Sequence, residues 1–153
     1  MHRPTHSESG FTLLELLLTL ALAALLATFA VPAYRGYVER VRESQAIADI
    51  GGLQLDLYNW ELTNYEFPPT LAAAGLDGLR DPWGRPYVYL NIALANVNDV
   101  RKDKNLHPLN TDFDLYSLGP DGDSRLPLTA EVSRDDILRA NNGGFIGRAE
   151  NYN

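Results

Sequence analysis

The chain has 153 residues and no cysteine, and its 20 acidic side chains outnumber its 13 basic ones, giving a net charge of −7. This balance argues against nucleic acid as a main partner, because phosphate binding needs a basic face. The absence of cysteine excludes disulfide bonds and a thiol nucleophile, and the length suffices for one small domain beside a membrane segment.

An apolar run of twenty-one residues, 11–31, follows a polar segment of ten residues, and Glu15 is the only charged member of the run. As a helix this run is about 32 Å long, which is enough to cross a bilayer core. A carboxylate inside such a span costs at least about 2–3 kcal/mol, which indicates a function. A cut after Gly10 would leave the new α-amino group of Phe11 one helical turn from Glu15, where the two charges can pair within a subunit or between neighbours.

Two other interpretations of the N-terminal segment stay open. It can be an ordinary signal anchor in which Glu15 is incidental. A cleavable secretory signal fits less well, because its apolar core is shorter and is followed by the cut site. Arg3 and two histidines favour a cytoplasmic position for the first ten residues, so the C-terminal part is expected to be exported. A small exported domain without disulfides needs another source of stability, such as a bound metal ion or contacts with its neighbours in an assembly.

A long helix is the first element predicted after this run. Pro32 removes one helical hydrogen bond, so a kink or local unwinding is expected there. From residue 33 to about residue 62, apolar residues recur at three- and four-residue steps, which predicts an amphipathic helix packed on a sheet. Pro68 and Pro69 cannot continue it, and a further short helix is predicted over 70–74.

Three strands are predicted in the second half of the chain. Aromatic and β-branched content predicts a strand over 86–90, alternation predicts one over 113–118, and a short one is expected at 144–146. The polar segment 91–112 is predicted to be a loop with a helical turn, and its basic cluster 101–104 is expected to be solvated. The resulting fold class is α+β, with one long helix on a small antiparallel sheet and a C-terminal loop region.

The motif GFTLLE at residues 10–15, with the apolar run behind it, resembles the type IV pilin and type II secretion pseudopilin superfamily. The resemblance implies that a prepilin peptidase cuts between Gly10 and Phe11 and N-methylates Phe11. It implies that Glu15 engages the N-terminus of an adjacent subunit during assembly, and that Pro32 is the family's proline. The organisation would be a leader, 1–10, a transmembrane and filament-core helix, 11–31, and a periplasmic pilin-like domain, 32–153.

The C-terminal half of the chain narrows this resemblance to one family within the superfamily. The sequence DPWGRPYVY at residues 81–89 is similar to the DPWG signature of the major pseudopilin of type II secretion, the general secretion pathway protein G family. Residues 65–70 stand where that family has a Tyr-Pro-Thr turn, and residues 111–122 resemble its strand and following loop. The resemblance covers nearly the whole mature chain.

Aspartates cluster near the C-terminal loop in a pattern that can serve calcium, which takes six to eight oxygen ligands. The protein G family binds calcium in this loop. Carried over by position, the resemblance implies as ligands the carbonyls of Leu118 and Pro120 and the side chains of Asp121, Asp135 and Asp136, with Asp123 as a further candidate.

This chain departs from the family around the predicted calcium loop. Residues 124–134 replace a glycine-rich stretch, the usual tryptophan is absent from 138–142, and the polar insertion before Asp112 is longer. The alternative is that the aspartates form turns and cap helices in solvent, with Ser133 and Asp136 capping a short helix at 135–140.

By resemblance, the chain is a structural subunit of a type II secretion pseudopilus that helps drive folded proteins across the outer membrane. It would cross the inner membrane once, expose its domain to the periplasm, and assemble with its own copies and other pseudopilins on an inner-membrane platform. The alternatives are a subunit of a type IV pilus, for adhesion, motility or DNA uptake, and a membrane-anchored periplasmic binding protein or enzyme. Catalysis is not expected, because the mature part has only one histidine, His107, and lacks a cysteine nucleophile, a histidine-rich metal motif and a phosphate-binding glycine loop.

Overall fold

The computed structural model describes residues 10–152, and the predicted leader, apart from Gly10, lies outside these residues. The described chain divides into two compact units, one reaching to Glu39 and one beginning at Arg40. One α-helix supplies the first unit. The end of that helix, a four-stranded sheet and the connecting loops make up the second.

The long helix predicted from the sequence is α1, Leu13–Asn64. It begins two residues inside the predicted apolar run and ends two residues beyond the predicted boundary. Leucine and alanine, which are strong helix formers, fill its first half. Tyr65, with a φ of 62°, and the following Pro68 and Pro69 stop it. Pro32 lies inside α1, and the kink at this residue stays a prediction.

Four short strands form one antiparallel sheet in the second unit, in the order β1-β2-β3-β4. They are β1 Val88–Asn91, β2 Phe113–Ser117, β3 Ile137–Ala140 and β4 Phe145–Arg148. Three of them confirm predicted strands, with boundaries shifted by one or two residues. The short helix predicted over 70–74 is a single 3₁₀ turn, Ala72–Ala74, and the loop 91–112 contains the turn Ile92–Leu94.

The strand β3 has no counterpart among the predicted strands, and the short helix suggested for residues 135–140 is wrong. All four residues of β3 are buried, because the strand lies between β2 and β4. A strand buried on both faces lacks the alternation by which strands are recognised. The hydroxyl of Ser133, the supposed helix cap, instead accepts from the backbone N–H of Arg125 at 2.7 Å and donates to its carbonyl at 2.8 Å.

The core of the second unit lies between the end of α1 and the sheet. Four buried residues of α1, spaced three or four apart, face it: Ala46, Ile50, Leu53 and Leu57. They cluster with residues of β2 and β3, including Phe113, Leu115 and Ile137. The predicted amphipathic stripe is therefore confirmed for the last part of α1, whereas in its first part Tyr34 and Tyr37 are exposed. Because β2 ends at Ser117 and β3 begins at Ile137, the acidic loop 118–136 joins two central strands at one end of the sheet.

Candidate functional site

The N-terminal motif lies at the start of α1. The hydroxyl of Thr12 accepts a hydrogen bond from the backbone N–H of Glu15 at 3.2 Å, so Thr12 caps the helix and Glu15 stands in its first turn. A threonine with a glutamate three residues later is the pattern of a capping box, and a carboxylate there interacts favourably with the helix dipole. Phe11 precedes the helix and is 76% exposed. Both predicted assembly residues are thus exposed beside one helix start, and their roles stay predictions.

The apolar segment behind this motif has no cover in the described chain. By length and composition α1 is able to cross a membrane, and no residue of its most apolar stretch is buried. Leucines on every side of the helix are more than half exposed, including Leu14, Leu17 and Leu22. A helix that is apolar all round requires lipid or other helices around it.

The DPWG sequence forms the predicted turn. The buried carboxylate of Asp81 accepts from the backbone N–H groups of Trp83 at 3.1 Å and Arg85 at 2.8 Å, and its other oxygen accepts from the hydroxyl of Ser117 at 2.6 Å. Gly84 takes the positive φ, 90°, that the turn needs. The turn therefore fixes the backbone of Arg85 next to the end of β2.

Arg85 reaches from this turn to the acidic loop. Its Nη1 donates to the carbonyl of Gly119 at 2.6 Å and its Nη2 to the carbonyl of Pro120 at 3.3 Å. Gly122 has a φ of 77°, and a Cβ there would lie 2.5 Å from the guanidinium carbon of Arg85. The loop is thus folded tightly around a cationic side chain that the sequence did not mark as functional.

The predicted calcium ligands have other partners. The carbonyl of Leu118 accepts from the N–H of Gly122 at 3.2 Å, and Asp121 accepts from the N–H of Asp123 at 2.8 Å. The side chain of Asp135 accepts from the N–H of Asp121 at 3.3 Å. Among residues 10–152, no three acidic or histidine side chains lie close enough together to hold a metal ion.

Asp136 is the most buried of the predicted ligands. One of its oxygens accepts from Nη2 of Arg101 at 2.7 Å and from the hydroxyl of Ser124 at 2.6 Å, and both members of the ion pair are at most 2% exposed. Its other oxygen, Oδ1, is buried and has no hydrogen-bond partner among residues 10–152. Burial raises the pKa of Asp136 to about 6, although Arg101 and Ser124 act in the opposite direction.

The pairing of Arg101 corrects the prediction of a solvated basic cluster at 101–104. The backbone N–H of Arg101 donates to Asp114 at 2.7 Å, and its guanidinium lies 4.3 Å from the centre of the Tyr116 ring. Arg101 therefore bridges the insertion before β2, the strand itself and the start of β3. His107, by contrast, is on the surface, with 75% of its side chain exposed.

Comparisons with known proteins agree with the N-terminal motif and extend beyond it. A profile of the prokaryotic N-terminal methylation motif matches residues 5–31. The type II secretion system core protein G of Vibrio cholerae is 30% identical over 115 residues, which cover 61% of this chain and 77% of that protein. The chain belongs to the type II secretion system core protein G family. The Escherichia coli protein of the same name is 28% identical over 144 residues, which cover 79% of this chain and 88% of that protein.

Core protein G is not the only kind of relative. A fimbrial protein of Neisseria meningitidis serogroup A is 29% identical over 143 residues, covering 88% of this chain and 80% of that protein. No solved structure is found to match the chain. The elements of the structure, a long helix followed by a small antiparallel sheet, are consistent with a pilin-like α+β fold.

A third arginine, Arg139, also connects separate parts of the second unit. Arg139 lies in β3, and its side chain is fully buried. It pairs with Asp112 at 2.6 Å, and its Nε donates to the side chain of Gln54 of α1 at 2.7 Å. Arg139 therefore connects the helix, the insertion and β3, and sequence reasoning did not single it out.

Calcium is a poor fit to the loop as this chain builds it. The carbonyl of Pro120 and the carboxylate of Asp136, two of the predicted ligand groups, accept hydrogen bonds from guanidinium groups. A divalent cation near the same oxygens would face like charges at short range. Calcium binding stays a prediction from the resemblance, which only addition or removal of the metal tests.

Proposed function

We propose that the chain is a structural subunit of a type II secretion pseudopilus that helps move folded proteins across the outer membrane. The family assignment supports this function. The observation that carries it is the capped helix start that presents Glu15 at the head of a wholly exposed apolar segment. Such a segment is suited first to a lipid bilayer and then to a bundle of identical helices.

The proposed route begins at the membrane. A prepilin peptidase cuts between Gly10 and Phe11 and methylates the new N-terminus, while the apolar segment holds the subunit in the inner membrane with the domain in the periplasm. During assembly, the Phe11 amine of one subunit pairs with Glu15 of its neighbour. The partners are copies of this chain, other pseudopilins and the inner-membrane assembly platform, and a separate ATPase supplies the energy.

Maturation gives a direct test. We expect the protein isolated from its host membranes to begin at Phe11 and to carry one methyl group on its α-amino nitrogen. Intact-mass analysis with N-terminal peptide sequencing measures both, and a strain without prepilin peptidase is the control. A protein that retains residues 1–10 in the wild-type host would contradict the proposed processing.

Secretion is the second test, and it separates the proposal from its alternative. A type IV pilus subunit is the second candidate, because fimbrial proteins are among the relatives. In a deletion strain we expect exoproteins to accumulate in the periplasm while surface motility and adhesion remain. Culture medium and periplasm are compared by quantitative mass spectrometry. Normal secretion with loss of motility or adhesion would favour the pilus.

A further inference from the structure

We propose that the guanidinium groups of Arg85 and Arg101 hold the acidic loop 118–136 closed and thereby replace calcium as the cation of this loop. The proposal concerns the fold of the domain and does not depend on filament assembly or secretion. It is carried by the hydrogen bonds of these two arginines, which approach the loop from different parts of the chain.

Arg85 closes the first half of the loop. Its two terminal nitrogens donate to consecutive carbonyls, those of Gly119 and Pro120, so it ties the turn after β2 to the DPWG turn. A calcium ion would require such carbonyls as ligands. The guanidinium instead satisfies them with N–H groups in a fixed planar fork, and the left-handed Gly122 leaves room for it.

Arg101 closes the second half. It lies in the insertion before β2. Its Nη1 contacts Ser124 and its Nη2 contacts Asp136, so it joins the two ends of the segment 124–136. Because Asp136 is fully buried, its negative charge needs a cation within the protein. The flat guanidinium also stacks on Tyr116 in β2, which fixes its position.

The oxygens left over do not make a cage for calcium. Within the part of the chain that the structure describes, Oδ1 of Asp136 is a single buried acceptor without a partner, whereas calcium takes six to eight oxygens. Asp121 and Asp123 are exposed, and a hydrogen bond between their own atoms already engages Asp121. The two departures from the family, the insertion and the altered loop, therefore act together, since the insertion supplies the arginine that the loop carboxylate binds.

The test is thermal unfolding of the full chain in detergent micelles, with EDTA and with added calcium chloride. If the loop had a calcium site, free calcium at about one hundred times the Kd of that site would raise the melting temperature by about 5–10 °C. We expect the wild-type melting temperature to be the same in both conditions. Arg101→Met is expected to lower it by about 10 °C, because it leaves Asp136 buried and unpaired, and calcium is not expected to restore it.

Arg125→Met is the matched control, since Arg125 is an exposed arginine of the same loop, and we expect its melting temperature to stay within about 2 °C of wild type. Should Arg101→Met fail to fold, the half-buried Arg85→Gln keeps the test intact, with an expected decrease of about 5 °C. A saturable calcium-dependent increase in the wild type, or an Arg101 variant as stable as the control, would overturn the proposal.

Discussion

Replacing Glu15 by alanine is expected to abolish filament assembly while leaving the folded domain unchanged. The glutamate is the only charge in the apolar run, and it stands in the first turn of α1 beside the predicted new N-terminus. Removal of one partner from a buried ion pair costs about 3–5 kcal/mol. This corresponds to subunit association that is about 100-fold weaker or more at each contact. Cross-linking of subunits in intact cells and secreted protein in the medium measure the effect.

Two further variants separate charge from shape at this position. Glu15→Gln keeps the size of the side chain and removes its charge, so we expect the same loss of cross-linked filaments. Glu66→Ala removes an exposed glutamate from the second unit and should assemble normally. A Glu15→Gln protein that assembles and secretes like the wild type would show that pairing with the Phe11 amine is not what drives assembly.

Replacing Arg139 by methionine is expected to give the largest loss of stability in the second unit, about 4–5 kcal/mol. The fully buried guanidinium pairs with Asp112 and donates to the hydroxyl of Tyr58 at 2.8 Å and to the carbonyl of Phe113 at 3.0 Å. It also lies 4.0 Å from the centre of the Phe113 ring. Methionine fills the volume but leaves these acceptors without a donor, so the melting temperature should fall by about 15 °C.

Arg148→Met is the control for this loss. Arg148 pairs with Glu150 at 3.0 Å, but both side chains are about one third to one half exposed. A partly exposed pair of this kind contributes at most about 1 kcal/mol. Circular dichroism melts of both variants in the same detergent give the comparison. Equal melting temperatures for the two variants would mean that the buried network around Arg139 contributes no more than a surface ion pair.

The elements that follow a simple period could be predicted from the sequence. The leucine-rich run identifies the first part of α1 by its length, and the three- and four-residue steps behind it identify the rest, because one face of a helix repeats every 3.6 residues. The alternation of β2 and the DPWG turn were equally readable. Strand β3 was not, since burial on both sides removes the alternation and Arg139 interrupts its apolar run.

The arginines show what local pattern cannot supply. Arg101 stands in a basic cluster that predicts a solvated loop, yet it is 2% exposed, because its partner Asp136 lies 35 residues further along the chain. Such a pair appears only when the sheet brings β2 and β3 together. The sequence contained one hint, because an apolar residue, Val100, stands directly before Arg101 in the long polar insertion. In the structure Val100 is buried as well.

The sequential order of the sheet has a consequence for how the domain forms. Each strand pairs only with strands adjacent to it in sequence, and the end of α1, which they cover, precedes them all. Pairing within the sheet therefore joins only neighbouring segments of the chain, whereas the end of α1 completes its core only when β3 arrives, since Arg139 donates to Gln54 across 85 residues of sequence. A chain that is synthesised from its N-terminus can add its strands to the sheet one by one in the order of synthesis, and β4 is added last.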